Sequence, residues 1–221
     1  MIDICVTYFG DRYSTKYIDN LQKGIARNYS GDFNFLVETN CPNGHWDKIG
    51  FFETDNPRII MDIDMLITGN LDDLFDYEVQ KNCIAAFPRW WRRGGCPING
   101  GFYKINPGPN IWSIADKFYG DPGFWIAHYG RLVGTFGKGE QDFVYDSAYW
   151  INELPGQWLG VHTEGSERYD EDVANKYFYQ YNMPLTKKDK FGEQVKLVHF
   201  IYDDNMIEQK PQWIQDLWNT T

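Results

Sequence analysis

Two carboxylates lie one residue apart in the run RIIMDIDMLITGNLDDLFD, residues 58–76. Asp62 and Asp64 interrupt what otherwise reads as a buried strand, and an unpaired carboxylate in such surroundings costs several kcal/mol. The pair therefore calls for a cation, a hydrogen-bond network or solvent at a strand end. Residues two apart in a strand point to the same side, so both carboxylates are expected to face one cavity. Two hard oxygen ligands, together with phosphate oxygens, suit Mg²⁺ or Mn²⁺. Far down the chain, LVHF (residues 197–200) sets His199 inside another apolar run. An imidazole added to the two aspartates makes an O,O,N site and moves the preference towards Mn²⁺. Further on, Lys210-Pro211-Gln212-Trp213 places a lysine ahead of a proline-started helix. A lysine and a metal together would neutralise a leaving diphosphate. Plainer alternatives stand beside these readings: solvated turn carboxylates, and a histidine satisfied within the core.

The elements that must position these groups alternate between strand and helix. Residues 2–9 (IDICVTYF) are β-rich, and residues 13–29 carry Tyr17, Ile18, Leu21 and Ile25 at helical spacing. Residues 32–37 form a second strand and residues 58–65 a third that ends in the aspartate pair. Short strands are expected over 83–87 and 101–105, helices over 110–119 and 141–150, a late strand over 195–202 and a closing helix over 211–218. Residues 120–139, rich in glycine and aromatic side chains, read as a long loop of the kind that often serves as a lid. Strand, helix, strand at the start predicts an α/β sheet, in which ligands gather at the carboxyl ends of the strands.

A length of 221 residues fits one domain, 1–221, with a full core. A net charge of −10 argues against general nucleic-acid binding, which needs a positive field. Cys5, Cys41, Cys83 and Cys96 show no CxxC spacing and are expected to be free thiols. The opening MIDICVTYFGDRYSTKY lacks the basic and apolar regions of a signal peptide, and no apolar window is long enough to span a membrane. A reducing, cytoplasm-like compartment is expected.

Six segments in order resemble the metal-dependent glycosyltransferases of the GT-A fold, in particular the glycogenin and lipopolysaccharide-galactosyltransferase type and its small viral and bacterial relatives. They are WDKIGFF (46–52), RIIMDIDMLITGNLDDLF (58–75), INGGFYKINPG (98–108), GEQDF (139–143), LVHF (197–200) and KPQW (210–213). The resemblance implies a Rossmann-like mixed sheet flanked by helices and transfer of a sugar from a nucleotide-diphosphate donor, a UDP-sugar being expected, to a glycan, lipid-linked or protein acceptor. It implies that Asp64 binds Mn²⁺ directly, that Asp62 reaches the metal or the donor ribose, and that His199 is the third ligand. Lys210 would meet the diphosphate, with Lys48 a second candidate. Thr7 and Tyr8 would hold base and ribose, with Ile63 also beside the donor. Asn99, Gly100 and Gly101 would lie near the donor sugar. Gln141 and Asp142 would sit under the transferred sugar, with Asp142 ranked first because it carries the charge. Retention of anomeric configuration is favoured. Glu140 stands where many relatives carry the first acid of Asp-Gln-Asp, and the spacing from His199 to Lys210 is longer than usual. A compact length like that of viral relatives is compatible with a viral protein acting in host cytoplasm.

The patch RWWRR (89–93) has two readings. Trp90, Trp91 and Arg92 could form an acceptor site by stacking and charge, or the tryptophans could pack on the core. Two rival functions remain. A haloacid-dehalogenase-like phosphatase also carries DxD, though normally at the end of its first strand. A non-catalytic carbohydrate-binding module would account for the aromatic content.

Overall fold

From its third residue the first strand has no polar face. Ile4 and Val6 point to one side and Cys5 to the other, and all three are fully buried. A strand buried on both faces belongs inside a sheet covered by helices on each side. The computed structural model describes residues 1–91, 94–130, 139–162, 194–200 and 206–220. In chain order these form β1 (Ile2–Thr7), α1 (Lys16–Asn28), β2 (Phe33–Glu38), β3 (Arg58–Met61), β4 (Leu66–Ile67), α2 (Asp72–Phe75), β5 (Cys83–Pro88) and β6 (Ile98–Asn106). There follow α3 (Pro109–Gly120), α4 (Pro122–Gly130), α5 (Glu140–Ser147), β7 (Ile151–Glu153), β8 (Leu159–His162), β9 (Leu197–Phe200) and α6 (Gln212–Thr220).

Six strands pair in the order β2-β1-β3-β6-β5-β7. β1 runs parallel to β2 and β3, while β6 is antiparallel to β3 and β5, so the sheet is mixed. Tyr17, Leu21 and Ile25, spaced four apart, give α1 one buried stripe. The α1 residues Leu21 and Ile25 join Ile4, Val6, Ile59, Met61 and Phe102 on one face of the sheet. The other face is covered by α3, α4, α5 and the 3-10 turns of Gly44–Phe52, which pack Phe118, Tyr129, Phe143 and Trp46 against Cys5, Ile60, Tyr103 and Ile105. A second sheet, β4-β9-β8, lies under α6 and shares Tyr17, Ile63, Val198, Ile214 and Trp218 with it.

Several expected boundaries move. The third strand stops at Met61, and residues 62–65 make a turn in which the Met65 N–H donates to the Asp62 carbonyl at 3.3 Å. The aspartates therefore need not share one strand face. Within the expected loop 120–139, Pro122–Gly130 is helical, while residues 131–138 lie outside the described residues. This helix is apolar on most sides because Trp125 and Tyr129 pack on Phe143, so it has no clean period to read. The helix expected to reach 150 ends at Ser147, and Trp150 is 62% exposed. All four cysteines are free, with Cys5 and Cys96 buried and their thiols pushed up to about 12 by burial.

Candidate active site

The parallel strands β1 and β3 both end at one pole, on Thr7 and Met61, and antiparallel β6 begins there with Asn99, Gly100 and Gly101. The Met61–Phe102 pairing sets Gly101 beside the first aspartate, and the Asp62 N–H donates to the Gly101 carbonyl at 2.8 Å. The long sequence gap to the histidine is closed by β4. Its Leu66 pairs with Val198 of β9 in antiparallel register, so one step along that ladder brings His199 level with Met65, next to Asp64.

Gly101 marks the point where the groups meet. A Cβ built on it would lie 2.9 Å from Asn99 Oδ1, 3.1 Å from His199 Nδ1 and 3.4 Å from Asp62 Oδ2. The imidazole nitrogen and the carboxylate oxygen thus border the same small space, one that only glycine leaves open. Gly100 is equally confined, since a Cβ there would come within 2.6 Å of Glu140 Oε1 and 2.9 Å of Gln141 Cβ. Gly101→Ala is expected to fill the space between His199 and Asp62, weakening metal-dependent nucleotide binding by about tenfold or more. Calorimetric titration checks it, and unchanged affinity in the folded variant would exclude this space as a binding element.

Asp62 is fixed by Lys48. The lysine is 4% exposed; its ammonium donates to Asp62 Oδ1 and, at 3.0 Å, to the Gly100 carbonyl, and it stands 3.3 Å from Glu140 Oε1. Burial pushes the Lys48 amine down, but the Asp62 and Glu140 carboxylates outweigh it and hold the amine above the usual lysine range. Its three donors meet three acceptors within the chain, Asp62 Oδ1, the Gly100 carbonyl and Glu140 Oε1. Its bond to Oδ1 leaves Asp62 Oδ2 turned towards His199 and Gly101. Asp64 takes another partner, accepting from the Tyr13 hydroxyl at 2.7 Å. Burial, then the Asp64 charge, raises the Tyr13 phenol far above its ordinary value, so it remains a donor.

Burial pushes the His199 imidazole down, opposed by Asp64 and Asp62 and assisted by Lys48. A neutral imidazole keeps a lone pair for a metal. Trp91 lies against it, with ring centroids 6.2 Å apart and planes 27° apart. Trp91 and Trp90 are 1% and 3% exposed and meet edge to face at 5.5 Å. Side chains so covered cannot stack a sugar, so the acceptor reading for both is corrected to packing, with Trp91 bracing His199. Arg92 lies outside the described residues.

The remaining expectations divide. Gln141 accepts from the Gly100 N–H at 3.1 Å, beside the Gly101 space. Asp142 instead accepts from the Gly139 N–H at 3.4 Å, closing the first turn of α5 as its capping residue. Burial raises the Asp142 carboxyl, partly offset by the Gly139 hydrogen bond and by Arg89. Asn99 is buried, and its side-chain oxygen accepts from the Gly101 N–H at 2.9 Å. Thr7 is buried at the end of β1, and the Tyr8 hydroxyl donates to the Tyr13 carbonyl at 3.0 Å. The Ile63 side chain packs into the cluster of Tyr17, Val198 and Trp218, which leaves only its backbone between the two aspartates. Lys210 is buried, with its ammonium 5.3 Å from the centre of the Phe200 ring, next in sequence to His199. Glu140, Tyr103 and Tyr13 complete the site; Tyr103 donates to Glu140 Oε1 at 3.3 Å. Glu140 falls within GEQDF, whereas no local pattern marks the two tyrosines, whose partners are far away in sequence.

The O,O,N donor set suits Mn²⁺ or Mg²⁺, and two of its atoms, Asp62 Oδ2 and His199 Nδ1, already border one space. The third member of the set, the Asp64 carboxylate, is turned to Tyr13, and among the described residues no three acidic, histidine or cysteine groups stand together as a closed metal cluster.

A mixed sheet of this order, with an acidic turn after β3 and a glycine pair at the start of β6, is the GT-A fold. Solved structures sharing it include an active-site glutamine mutant of LgtC, at a TM-score of 0.62 and 12% identity over 99% of this chain and 96% of that one. The glycosyltransferase GlyE of Streptococcus pneumoniae TIGR4 matches at 0.59 with 14% identity over 100% of this chain and 62% of its own. A glycosyltransferase involved in glycosylation of the major capsid of PBCV-1 matches at 0.53 with 13% identity over 100% and 99%. No family model and no curated protein sequence matches the chain. The haloacid-dehalogenase-like alternative falls with the topology: β1 ends on Thr7, and the DxD turn follows β3. Among the described residues no helix is long and apolar enough to cross a membrane.

Proposed function

We propose that this chain is a glycosyltransferase that moves a sugar from a nucleotide-diphosphate donor, UDP being the expected nucleotide, to a glycan or glycoconjugate acceptor with the help of Mn²⁺ or Mg²⁺. One observation carries the reading. Asp62, His199 and Asn99, drawn from three separate segments, surround the bare Cα of Gly101 at the carboxyl pole of a GT-A sheet. Sugar substrates are supported by the neighbours: LgtC is known bound to donor and acceptor sugar analogues, and the PBCV-1 protein is involved in glycosylation.

Asp62, Asp64 and His199 are the residues that would hold the metal. When bound, it supplies Lewis-acid stabilisation of the negative charge growing on the leaving diphosphate. The chain's own groups prepare the site for that event. Lys48 holds Asp62 in one orientation, so the carboxylate needs no reorganisation as charge develops. Gly100 and Gly101 let donor and backbone approach closely. Lys210, beside the same strand end, is the candidate for the diphosphate, and Thr7 and Tyr8 for base and ribose. Gln141, anchored on the Gly100 N–H, faces the reacting sugar in this reading, ahead of Asp142, whose carboxylate is committed to its helix. The LgtC neighbour whose mutated active-site residue is a glutamine supports that order. Retention remains the proposed stereochemical outcome.

A panel of nucleotide sugars assayed for Mn²⁺-dependent release of free nucleotide tests the proposal. Release from at least one UDP-sugar is expected. No release from any donor, with no metal-dependent heat on titration with UDP, would leave the carbohydrate-binding module as the better reading. Within the panel, Gln141→Ala is expected to lower kcat by about 10²-fold with nucleotide affinity kept. Asp142→Ala should instead cost about 1 kcal/mol of stability through its lost cap and change kcat less than the glutamine variant. The reverse ranking would return the catalytic role to Asp142.

A further inference from the structure

The amino ends of the parallel strands frame a second cavity, at the pole opposite the candidate active site. Its volume is about 520 Å³, and Ile2, Asp3, Tyr29, Asn34, Asp76 and Lys104 are among the residues lining it. Lys104 breaks the pattern of β6. It pairs with Ile59 on one side and Ala85 on the other, both members of the apolar core, and is itself only 7% exposed. Its amine donates to the Phe75 carbonyl at the end of α2. No group of the active-site pole touches it, so the sugar-transfer reading leaves this amine unused.

We propose that Lys104 is a modification site, an amine that accepts a small acyl group from a thioester entering this cavity. A single hydrogen bond to Phe75 uses one N–H of the neutral amine and leaves its lone pair free. That nitrogen attacks the thioester carbonyl carbon; the C–N bond forms, the C–S bond breaks, the sulfur leaves as thiolate and the surplus proton on nitrogen passes to solvent. The amide formed is neutral and keeps an N–H for the Phe75 carbonyl, so the burial that penalises an ammonium favours the product. The cavity supplies the room for the acyl chain.

The electrostatics agree with the geometry. Burial pushes the Lys104 amine down to about 8, with Asp76 acting in the opposite direction. The other charged and titratable groups lining the cavity are the Met1 α-amino group, Asp3, which is paired with Arg58 at 3.5 Å, and Tyr29, whose hydroxyl donates to Asp76 at 2.9 Å. The Tyr29 phenol is itself pushed up to about 12 by burial and remains protonated. Near pH 8 a large share of the Lys104 amine is therefore neutral, against well under 1% for an ordinary lysine at about 10.4.

The test treats the full chain with a small acetyl thioester between pH 7 and 9.5, without nucleotide sugar, and follows acetyl-lysine at each site by peptide mass spectrometry. Lys104 is expected to react about tenfold faster than the exposed Lys23 and Lys81 at pH 7.5, with a rate that levels off above about pH 8. Asp76→Asn, if it keeps the wild-type thermal midpoint, should raise the Lys104 rate at pH 7 severalfold by removing the charge that favours the ammonium. A Lys104 rate no greater than that of Lys23 and Lys81, a rate that climbs without levelling to pH 9.5, or an Asp76→Asn rate that does not rise would overturn the assignment. Because no donor sugar takes part, these outcomes are independent of whether the chain transfers sugars.

Discussion

Asp64→Ala should abolish sugar transfer, a fall of about 10³-fold or more, and remove metal-dependent UDP binding while leaving the fold nearly intact. The expectation rests on how little Asp64 does for the folded chain. Its carboxylate accepts one hydrogen bond, from Tyr13, and both residues are only partly buried, so water can replace the lost acceptor. The carboxylate nevertheless stands close enough to His199 to act on its protonation. Circular dichroism and the thermal midpoint report the fold, calorimetry with UDP and Mn²⁺ reports binding, and nucleotide release reports turnover. Asp64→Asn separates two contributions, since it keeps an acceptor for Tyr13 but loses the charge. Full activity in Asp64→Ala, or in wild type with excess EDTA, would remove the metal from the proposal.

Lys48→Met is expected to cost both stability and activity. Removing the ammonium leaves the carboxylates of Asp62 and buried Glu140 without their shared cation, and breaking such a buried arrangement costs about 3 kcal/mol. Asp62 is about one-third exposed, so most of that loss falls on Glu140. The pH dependence follows from the direction of the Lys48 shift. A lysine raised by its partners stabilises the fold fully below the unfolded value near pH 10, and the contribution is lost as pH rises through the folded value. The stability gap between wild type and Lys48→Met should therefore hold steady from about pH 7 to 9 and narrow above about pH 10. Urea unfolding at several pH values measures it. In the same variant Asp62 is free to turn, and nucleotide release should fall at least tenfold. A variant of wild-type stability would show that Lys48 is not the residue that neutralises Asp62 and Glu140.

What could be read from the residues in order was whatever has a short period or a local signature. The strand Ile2–Thr7, helix α1 with Tyr17, Leu21 and Ile25, and the short strands around Cys83 and Tyr103 declare themselves through runs and spacings of apolar residues. The aspartate pair did so too, because two carboxylates beside RIIM have no reason to be there unless something answers their charge. The choice of partners belongs to the tertiary structure alone. Lys48 answers Asp62 and Glu140 because the 3-10 turns, β3 and α5 meet at one pole of the sheet. His199 comes beside Asp64 through the pairing of β4 with β9. The tryptophans of RWWRR face inwards although their basic neighbours suggest a surface, because burial is decided by what packs against a segment and not by the segment's own charge. Asp142, ranked first because it carries the charge, is committed to a helix end, while Gln141 is turned to the glycine pair. Composition and periodicity act over a few residues along the chain. The electrostatic balance and the shape of this site depend on distances across space, which only the folded chain sets.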